Sequence, residues 1–457
     1  SLDDTNITVL DKNGNVKWKV PVSGSVVSAP AIADVDGDGF KDIIVQTLKT
    51  TTSNNSGIRY TYSSSGASIS DNNRPVTLTD VLYVISGRTH GIIWQATVSS
   101  GTYSQKYFAT VDADKRIHLM FPSSSPAIGD LDGDGKPEIA MGSVDGRVYA
   151  YDHTGPPYKW RSTITANISN NFSNLLGYIV SSPTITRTNN QKNYDDVIAS
   201  FVTNGGDQLQ IYMLDGKNGS PTQISDITSK AAKHPAGHPI VHWPEGYHHR
   251  GPQVTIAMNN YICIEHLAQT HTVYGNITQA GAGNKTQSYA TPVIVETNSY
   301  STDLRKHETG RFDIIIGAEN GHLYCHAYTD TNGEADEGNN ENLIDFSNKL
   351  KRLWDYTHGS PIRSSVAVDD IDNDGKSEVI FIAENGVLSA LDISNNYSSW
   401  NTERGNLHRT GDTMTKIDLP TYTMALTENI DYGNRLDPYD DKFRVNAHFN
   451  LSYPYET

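Results

Sequence analysis

"SSPAIGDLDGDGKPEIAMG", residues 124–142, contains the pattern that decides the fold. A short apolar run is followed by an acidic turn with two glycines and then by a second apolar run. The same order returns in "SAPAIADVDGDGFKDIIV" (28–45) and "SSVAVDDIDNDGKSEVIFI" (364–382). Weaker copies without the acidic turn are "VSSPTITR" (180–187), "HRGPQVTI" (249–256) and "YATPVIVE" (289–296). Apolar runs of strand length that recur along a chain, bounded by turn residues, predict a repeat protein made of β-strands.

Each full repeat continues beyond this pair of runs. A glycine-containing turn and a third apolar run follow, as in "GSVDGRVYAYDHTG" (142–155). A fourth run often carries a tryptophan, and these residues are Trp18, Trp94, Trp160 and Trp354. Four antiparallel strands per repeat are typical of a β-propeller blade. The sequence therefore predicts an all-β fold, a β-propeller with seven blades of four antiparallel strands, and six or eight blades are the alternatives.

The two termini are predicted to complete the ring. Six first strands are visible, and "GNLHRTGDTMTKI" (405–417) is the predicted seventh. The N-terminal "ITVLDKNGNVKWKV" (7–20) has the pattern of a third and fourth strand, so the C-terminal segment would supply the first two. Such pairing closes a ring and removes its open edges. We expect residues 1–457 to form a single propeller domain, in which 418–457 either closes the ring or extends from it.

Composition excludes some classes of function. The formal net charge of the 457-residue chain is −16, which argues against a general nucleic-acid binder because a phosphate backbone needs a basic face. No apolar run approaches the roughly 18 residues of a membrane span. The first residues, "SLDDTNITVLD", do not read as a signal peptide, and nine Asn-X-Ser/Thr sequons fit a surface role. We expect a secreted or cell-surface protein whose signal peptide has already been removed.

The acidic turns predict calcium sites. Alternate carboxylates on a tight loop converge on one point, where they repel each other unless a hard cation lies between them. The glycines allow the sharp turn, and oxygen ligands at this spacing suit Ca²⁺ in a structural role. The predicted ligands are Asp34, Asp36, Asp38 and Asp42, then Asp130, Asp132, Asp134 and Glu138, and finally Asp370, Asp372, Asp374 and Glu378. Solvated acidic turns without an ion are the alternative.

Alignment of the first strands on a shared proline predicts a second cluster. The residues three positions before this anchor are Val27, Ser123, Val180, His249, Tyr289 and Arg363. We expect them at one mouth of a central channel, with histidine, tyrosine and arginine on three successive blades. An arginine binds a carboxylate, and tyrosine and histidine move protons. These are the groups that β-elimination from a uronic acid requires, because the C5 proton is removed by a base while an acid protonates the leaving O4.

The acidic turns and the tryptophans resemble those of FG-GAP and quinoprotein-like propellers, a resemblance that concerns the fold. The His–Tyr–Arg set resembles that of the propeller-type polysaccharide lyases, in particular the ulvan lyases. This resemblance implies a cleft for an acidic polysaccharide, with Tyr289 as base or acid, His249 as its partner and Arg363 neutralising the carboxylate. Further predicted substrate-binding residues are His248, Arg250, His266, His271, Arg305 and His408. The function expected on this basis is an extracellular lyase that cleaves a uronate-containing polysaccharide.

The two cysteines leave three alternatives open. Cys263 and Cys325 lie on neighbouring predicted blades, and His322 and His326 flank the second of them. Two thiolates and two imidazoles would satisfy tetrahedral Zn²⁺. Strand alternation places His322 and His326 on one face and Cys325 on the other, which weakens this hypothesis. A disulfide and two buried thiols are the other interpretations.

Other classes of function stay open beside the lyase. The chain could be a non-catalytic, calcium-binding surface or adhesion propeller, or a subunit of an extracellular assembly. In that case the Tyr- and Asp-rich segment 418–457 could pair with another chain and give self-association. A quinone-dependent dehydrogenase is a weaker alternative, because packing between blades already explains the tryptophans.

Overall fold

The computed structural model describes residues 6–11, 13–52, 60–63, 66–69, 75–104, 109–111, 117–119, 124–164, 181–188, 192–203, 208–226, 238–242, 253–258, 261–266, 272–276, 290–296, 312–328, 350–372, 374–393, 424–425 and 450–451. Their regular structure consists of β-strands. Within these ranges, no helix has the length and apolar character needed to cross a membrane. The chain divides into two compact units, mainly Lys19–Pro239 and Ile240–Asn406.

The first unit contains three repeats, each an antiparallel up-and-down sheet. Repeat 1 consists of Ala31–Ala33, Asp42–Thr52, Pro75–Ile85 and Ile92–Ser104, with Ser25–Val26 also paired to its second strand. Repeat 2 consists of Ala127–Gly129, Glu138–Gly142, Val148–Asp152 and Gly155–Arg161. Repeat 3 consists of Thr184–Thr186, Asp196–Thr203, Gln208–Leu214 and Pro221–Asp226.

The second unit contains three further repeats. Repeat 4 consists of Ile240–His242, Gln253–Met258, Tyr261–His266 and Thr272–Asn276. Repeat 5 consists of Val293–Glu296, Phe312–Gly317, His322–Tyr328 and Leu350–Thr357. Repeat 6 has three described strands, Ala367–Asp369, Ser377–Ile382 and Leu388–Ile393. Four-stranded antiparallel repeats of this kind are β-propeller blades, so the predicted all-β, propeller-type fold is confirmed.

Four two-stranded sheets lie outside the six repeats. They pair Asn6–Leu10 with Val16–Pro21, Tyr60–Ser63 with Gly66–Ile69, Ala109–Val111 with Ile117–Leu119, and Met424–Ala425 with Asn450–Leu451. The predicted seventh first strand, within 405–417, lies outside the described residues. The strand pairs among the described residues do not join the N-terminal hairpin to 418–457. The seven-blade count, the ring closure and the single domain therefore stay predictions.

The predicted register of repeat 4 was wrong. The segment "HRGPQVTI" (249–256) was aligned as a first strand on Pro252, but Gln253–Met258 is the second strand of its sheet. The first strand is Ile240–His242, which pairs with it through Ile240↔Thr255 and His242↔Gln253. The equivalent proline is therefore Pro239, and His249 does not lie three residues before the anchor of a first strand.

Hydrogen bonds from the residues that precede these prolines connect the repeats of the first unit. The backbone N–H of Ala29 donates to Ser125 Oγ at 3.1 Å, and that of Ser125 donates to Ser182 Oγ at 2.8 Å. The N–H of Ser182 donates to His238 Nδ1 at 2.9 Å. Within the first unit, each of these backbone donors is thus satisfied by the side chain that precedes the next proline of the series. This series, which we call the pre-proline relay, fixes neighbouring first strands in register.

The fourth-strand tryptophans form a second connection between repeats. Trp94 Nε1 donates to the His153 carbonyl at 3.1 Å, and Trp160 Nε1 donates to the Gly216 carbonyl at 2.6 Å. The rings also lie against glycines of the next repeat. A Cβ added to Gly155 would lie 2.9 Å from the Trp94 ring, and one added to Gly219 would lie 2.6 Å from the Trp160 ring. Only glycine leaves room for this contact.

The apolar cores of the first unit lie between neighbouring repeats. One core joins Ile44 and Leu82 of repeat 1 to Ile139 and Tyr151 of repeat 2. Another joins repeats 2 and 3, and a third is shared by repeats 4, 5 and 6 of the second unit. Because one strand face packs on the preceding repeat and the other on the following repeat, the second and third strands carry long apolar runs.

A buried carboxylate lies between repeats 1 and 2. Asp80 Oδ1 accepts from Gln46 Nε2 at 2.9 Å, and Asp80 Oδ2 accepts from Ser143 Oγ at 2.7 Å and from the Val144 N–H at 2.6 Å. Burial raises the pKa of Asp80 to about 7, although these three hydrogen bonds act to lower it.

We expect Ser182→Ala to lower the free energy of unfolding by about 1–3 kcal/mol, because the N–H of buried Ser125 loses its acceptor in the pre-proline relay. Urea denaturation monitored by tryptophan fluorescence measures this change. Ser23→Ala removes a hydroxyl from an exposed serine and should stay within about 0.5 kcal/mol of the wild type. Equal stability of the two variants would contradict the relay.

The pKa of Asp80 predicts a pH dependence of stability. Native Asp80 keeps its proton to about pH 7, whereas an unfolded aspartate releases it near pH 4. The native state therefore binds more protons across this window, so the contribution is complete below about pH 4 and is lost as the pH rises to about 7. At 1.36 kcal/mol per pKa unit the loss is roughly 4 kcal/mol. Urea denaturation between pH 5 and 8 should show a shallower decline for Asp80→Asn than for the wild type. Asp11→Asn, at an exposed hairpin turn where hydrogen bonds from Asn15 lower the pKa of Asp11, should keep the wild-type slope because this carboxylate titrates below the window.

Candidate functional site

Three turns between first and second strands carry the predicted calcium ligands. Acidic turn 1 is 34–42 in repeat 1, acidic turn 2 is 130–138 in repeat 2, and acidic turn 3 is 370–378 in repeat 6. In acidic turn 2, Asp130 accepts from the N–H groups of Gly133 and Gly135. Both glycines have positive φ, +81° and +82°, which lets the chain fold back around the carboxylate.

The other two acidic turns repeat this geometry. Asp34 accepts from the N–H groups of Gly37, Asp38 and Gly39, and Asp370 accepts from those of Asp374 and Gly375. The next carboxylate of each turn accepts an N–H two residues later, as Asp36 does from Asp38. Backbone donors therefore hold the carboxylates in place without the help of an ion.

The last carboxylate of each turn begins the second strand. Asp42, Glu138 and Glu378 lie opposite Ala33, Gly129 and Asp369, the last residues of the first strands. One oxygen of each accepts an N–H from within the turn, at 2.8 Å from Val35, 2.7 Å from Leu131 and 2.8 Å from Ile371. All three carboxylates are buried. The second oxygen of Asp42 accepts from the Gly87 N–H at 3.1 Å, whereas that of Glu138 has no hydrogen-bond partner within the described residues and could be satisfied by an ion at the centre of the turn.

The structure brings together most of the predicted ligands. Oxygen atoms within 4.8 Å of one another come from Asp34, Asp36 and Asp42, from Asp130, Asp132 and Glu138, and from Asp370, Asp372 and Asp374. Asp38, Asp134 and Glu378 lie in the same turns but outside these groups. A fourth group at this spacing, Glu138 with Asp152 and His153, shares its glutamate with acidic turn 2.

Electrostatics supports a cation at these turns. Burial, together with a smaller contribution from the neighbouring aspartates, raises the pKa of Glu138 and of Glu378 to about 7. Burial also raises the pKa of Asp42. Glu138 is completely buried, and its Oε1 accepts no hydrogen bond within the described part of the chain. A hard divalent cation that takes oxygen ligands fits this donor set, and Ca²⁺ is the ion for which such turns are typical.

The repeats differ in the lysines that approach these carboxylates. In repeat 2, Lys159 Nζ lies 2.5 Å from Asp132 Oδ2, 3.8 Å from Asp152 Oδ2 and 4.0 Å from Glu138 Oε1. In repeat 6, Lys376 Nζ lies 3.2 Å from Asp374 Oδ2 and 3.3 Å from Asp392 Oδ2, all on well-exposed side chains. For acidic turn 1, the described residues place no lysine or arginine within ion-pair distance.

Repeat 3 lacks an acidic turn but retains the last carboxylate. Asp196 lies opposite Thr186, as Glu138 lies opposite Gly129. Lys192 Nζ lies 2.8 Å from Asp196 Oδ1 and 3.2 Å from Asp215 Oδ2. Asp215 follows the third strand of repeat 3, just as Asp152 ends that of repeat 2. A lysine ammonium therefore neutralises the carboxylates that an ion would neutralise elsewhere.

Of the predicted catalytic residues, Arg363 is the one that the structure describes. Its Nε lies 2.5 Å from Glu319 Oε1 and its second terminal nitrogen 2.8 Å from Glu319 Oε2, which is bidentate pairing. A third contact joins Arg363 to Glu384 Oε1 at 2.8 Å. Two protein carboxylates thus occupy the predicted carboxylate binder. His249 and Tyr289 lie outside the described residues.

The predicted substrate-binding residues lie almost entirely outside the described part of the chain. These are His248, Arg250, His271, Arg305 and His408. The backbone of His266 ends the third strand of repeat 4, opposite Gln253. The structure therefore neither brings these residues together nor separates them, and the predicted cleft stays a prediction.

The cysteine and histidine residues of the predicted zinc site are all described. Cys263 and Cys325 are buried thiols that form no disulfide, which agrees with the third interpretation. His326 is buried, whereas His322 is partly exposed and lies 3.2 Å from Asp355 Oδ2. No ligand-spaced group among the described residues contains a cysteine. The geometry therefore gives the zinc hypothesis no support.

Sequence reasoning missed two kinds of residue. Lys159 and Lys192 approach the carboxylates from positions without a recognisable motif. A partial signal does exist at the first, because the residue before the tryptophan is apolar in repeats 1 and 5, Ile93 and Leu353, and is a lysine in repeat 2, as it is before Trp18 in the N-terminal hairpin. His238 in the pre-proline relay was also missed. The available signal was Pro239, which follows His238 and precedes the first strand of repeat 4.

Comparison with known proteins supports the repeat. The FG-GAP repeat family matches residues 123–151, which include acidic turn 2 and the first three strands of repeat 2. The predicted FG-GAP-type repeat is confirmed for this part of the chain. A search among curated proteins finds no match.

Solved structures with some likeness to the chain share little sequence with it. Sqt1 of Saccharomyces cerevisiae has a TM-score of 0.42 at 10% identity, covering 86% of this chain and 82% of that chain. BamB from Moraxella catarrhalis has a TM-score of 0.37 at 10% identity, covering 85% and 93%. BBS1N in complex with ARL6DN has a TM-score of 0.39 at 11% identity, covering 86% and 87%. These values are too low for the likeness to carry an argument about fold or function.

Proposed function

We propose that the chain is a non-catalytic, calcium-stabilised binding propeller. It would act either as a surface or adhesion module or as a subunit of an extracellular assembly. The observation that carries the proposal is the preorganisation of the three acidic turns. In each, backbone N–H groups hold carboxylates within ligand distance of one another. Asp34, Asp36 and Asp42 would hold one ion, Asp130, Asp132 and Glu138 a second, and Asp370, Asp372 and Asp374 a third.

The ions would act on the turns between first and second strands. Bound calcium cancels the mutual repulsion of the carboxylates and satisfies the buried oxygen of Glu138. Turns fixed in this way present their flanking residues in one conformation. A preorganised surface loses less conformational entropy when a partner binds, which is the physical advantage of such a scaffold for recognition.

Polysaccharide β-elimination is the second candidate function, and one contact favours it. Arg363 already forms a bidentate pair with a carboxylate, so its guanidinium has the geometry that a uronate would use. A substrate carboxylate would have to replace Glu319 or Glu384 on Arg363. Breaking one of these ion pairs would cost free energy, and the binding-propeller proposal does not require it.

We expect the purified protein to bind about three calcium ions by isothermal titration calorimetry. Chelation should lower its melting temperature, because each site contributes about 2.7 kcal/mol when free calcium is 100 times its Kd. Asp36→Ala, Asp132→Ala and Asp372→Ala should each remove one ion.

The matched control is Asp11→Ala. Asp11 accepts N–H groups in a hairpin turn in the same way, but belongs to no ligand-spaced group of the described residues. It should leave the calcium count unchanged. A wild-type protein that binds no calcium, with a melting temperature unaffected by chelation, would contradict the proposal.

A uronate polymer mixed with the protein separates the two functions. If Arg363 and Tyr289 support β-elimination, an unsaturated product will increase ultraviolet absorbance, and Tyr289→Phe will slow this by about 100-fold or more. The binding propeller predicts no absorbance change with any acidic polymer. Lys49→Met, at an exposed residue, controls for general charge effects on polymer association.

A further inference from the structure

Acidic turn 2 contains its own positive charge. Lys159 belongs to the fourth strand of repeat 2, Gly155–Arg161, and its side chain is only 20% exposed. Its ammonium contacts Asp132 and Asp152 and lies 4.0 Å from the buried Oε1 of Glu138. Asp132 and Glu138 belong to the ligand group assigned above to calcium.

The position of Lys159 is compatible with partial neutralisation only. At 4.0 Å from Glu138 Oε1 the ammonium is beyond hydrogen-bond distance, so this oxygen still lacks a donor. A divalent ion at the centre of the turn would contact both carboxylates directly. The ammonium and the ion would repel each other at such a separation, so Lys159 has to move away from Asp132 when calcium binds.

Repeat 3 shows that a lysine alone can neutralise the carboxylates at this position. There, Lys192 contacts both oxygens of buried Asp196 at 2.8 and 3.0 Å and also contacts Asp215. The residues that would complete a calcium turn are absent from "TRTNNQKNYDD" (186–196). Repeat 3 therefore has a lysine counter-charge and no calcium turn. Acidic turn 1 has the calcium ligands and no lysine or arginine within ion-pair distance among the described residues. Acidic turn 2 has both the ligands and a lysine.

We propose that Lys159 and Ca²⁺ compete for the carboxylates of acidic turn 2, so that this turn is a weak, exchangeable calcium site while acidic turn 1 is a tight one. The inference rests on the proposed calcium function. In the calcium-free protein, Lys159 keeps the turn folded by supplying a counter-charge. When calcium is abundant, the ion replaces the ammonium and satisfies Glu138 Oε1. Acidic turn 2 thereby responds to calcium concentration without losing its structure.

The experiment uses double variants that each leave a single acidic turn intact. A protein with Asp36→Ala and Asp372→Ala retains acidic turn 2, and a protein with Asp132→Ala and Asp372→Ala retains acidic turn 1. Alanine is used because an asparagine oxygen would still bind calcium. Calcium affinity is measured by calorimetry, and thermal unfolding is recorded in chelator and in excess calcium.

Lys159→Met keeps the length of the side chain and removes its charge. In the protein that retains acidic turn 2, it should raise calcium affinity about tenfold, as expected for loss of one charged hydrogen bond. In chelator, the same variant should melt at a lower temperature than its parent, because Asp132 and Glu138 lose their counter-charge. A merely structural lysine would lower stability under both conditions and leave the affinity unchanged.

Two further variants serve as the reverse change and as the control. Ile93 occupies the position before the tryptophan in repeat 1, so Ile93→Lys should weaken calcium binding in the protein that retains acidic turn 1. Lys376→Met removes a lysine whose contacts are well exposed, and in a protein retaining acidic turn 3 should change affinity by less than about threefold.

The outcomes separate this inference from the proposed function. Calcium binding that is unaffected or weakened by Lys159→Met would overturn the competition and leave the calcium function intact. Failure of all three turns to bind calcium would overturn the proposed function and the competition together. Tighter binding with lower stability in chelator is the result that the competition requires.

Discussion

The hydrogen bond from the residue before each first-strand proline to the side chain of the next repeat is the constraint on which the first unit depends. Proline has no N–H, so the preceding residue supplies the donor at the start of the strand. Ala29, Ser125 and Ser182 each donate to the side chain that precedes the next proline of the first unit. The tryptophans and the shared cores can pack only when these strands are in register.

Much of the fold follows from local sequence patterns. Strand–turn–strand runs, the recurrence of proline and the tryptophans were enough to predict four-stranded repeats, and acidic turns with glycines were enough to predict where carboxylates converge. Repeat 4 was misaligned because two apolar segments there follow a proline. Only His238, before Pro239, offers a side-chain acceptor to Ser182, whereas Gly251, before Pro252, offers none. The need for a side-chain acceptor of the Ser182 N–H arises from a contact between distant segments, so the pattern of a single repeat does not reveal it.

The candidate site was less predictable for a similar reason. The acidic turns are contiguous in sequence, so nine of the twelve proposed ligands fall into the ligand-spaced groups of the described residues. The counter-charges come from other strands, and a lysine such as Lys159 has no motif that marks its target. Arg363 was predicted to face a substrate, yet Glu319 and Glu384 satisfy its guanidinium. The pattern of a single repeat does not reveal such a pair, because its partners come from separate turns.

The glycine recess beneath Trp94 and Trp160 has a consequence for how such chains diversify. The Trp94 ring rests on Gly155, and the Trp160 ring rests on Gly219, so both indoles are accommodated by the repeat that follows their own. A sheet transplanted from another protein would bring its indole but not the recess, and it would meet a neighbour shaped for a different ring. The segment that keeps an indole with its recess therefore runs from the tryptophan of one sheet to the glycine of the next. Gene duplication preserves such pairs when its breakpoints lie between the glycine and the tryptophan of one fourth strand, as between Gly155 and Trp160, whereas a breakpoint elsewhere separates an indole from its recess.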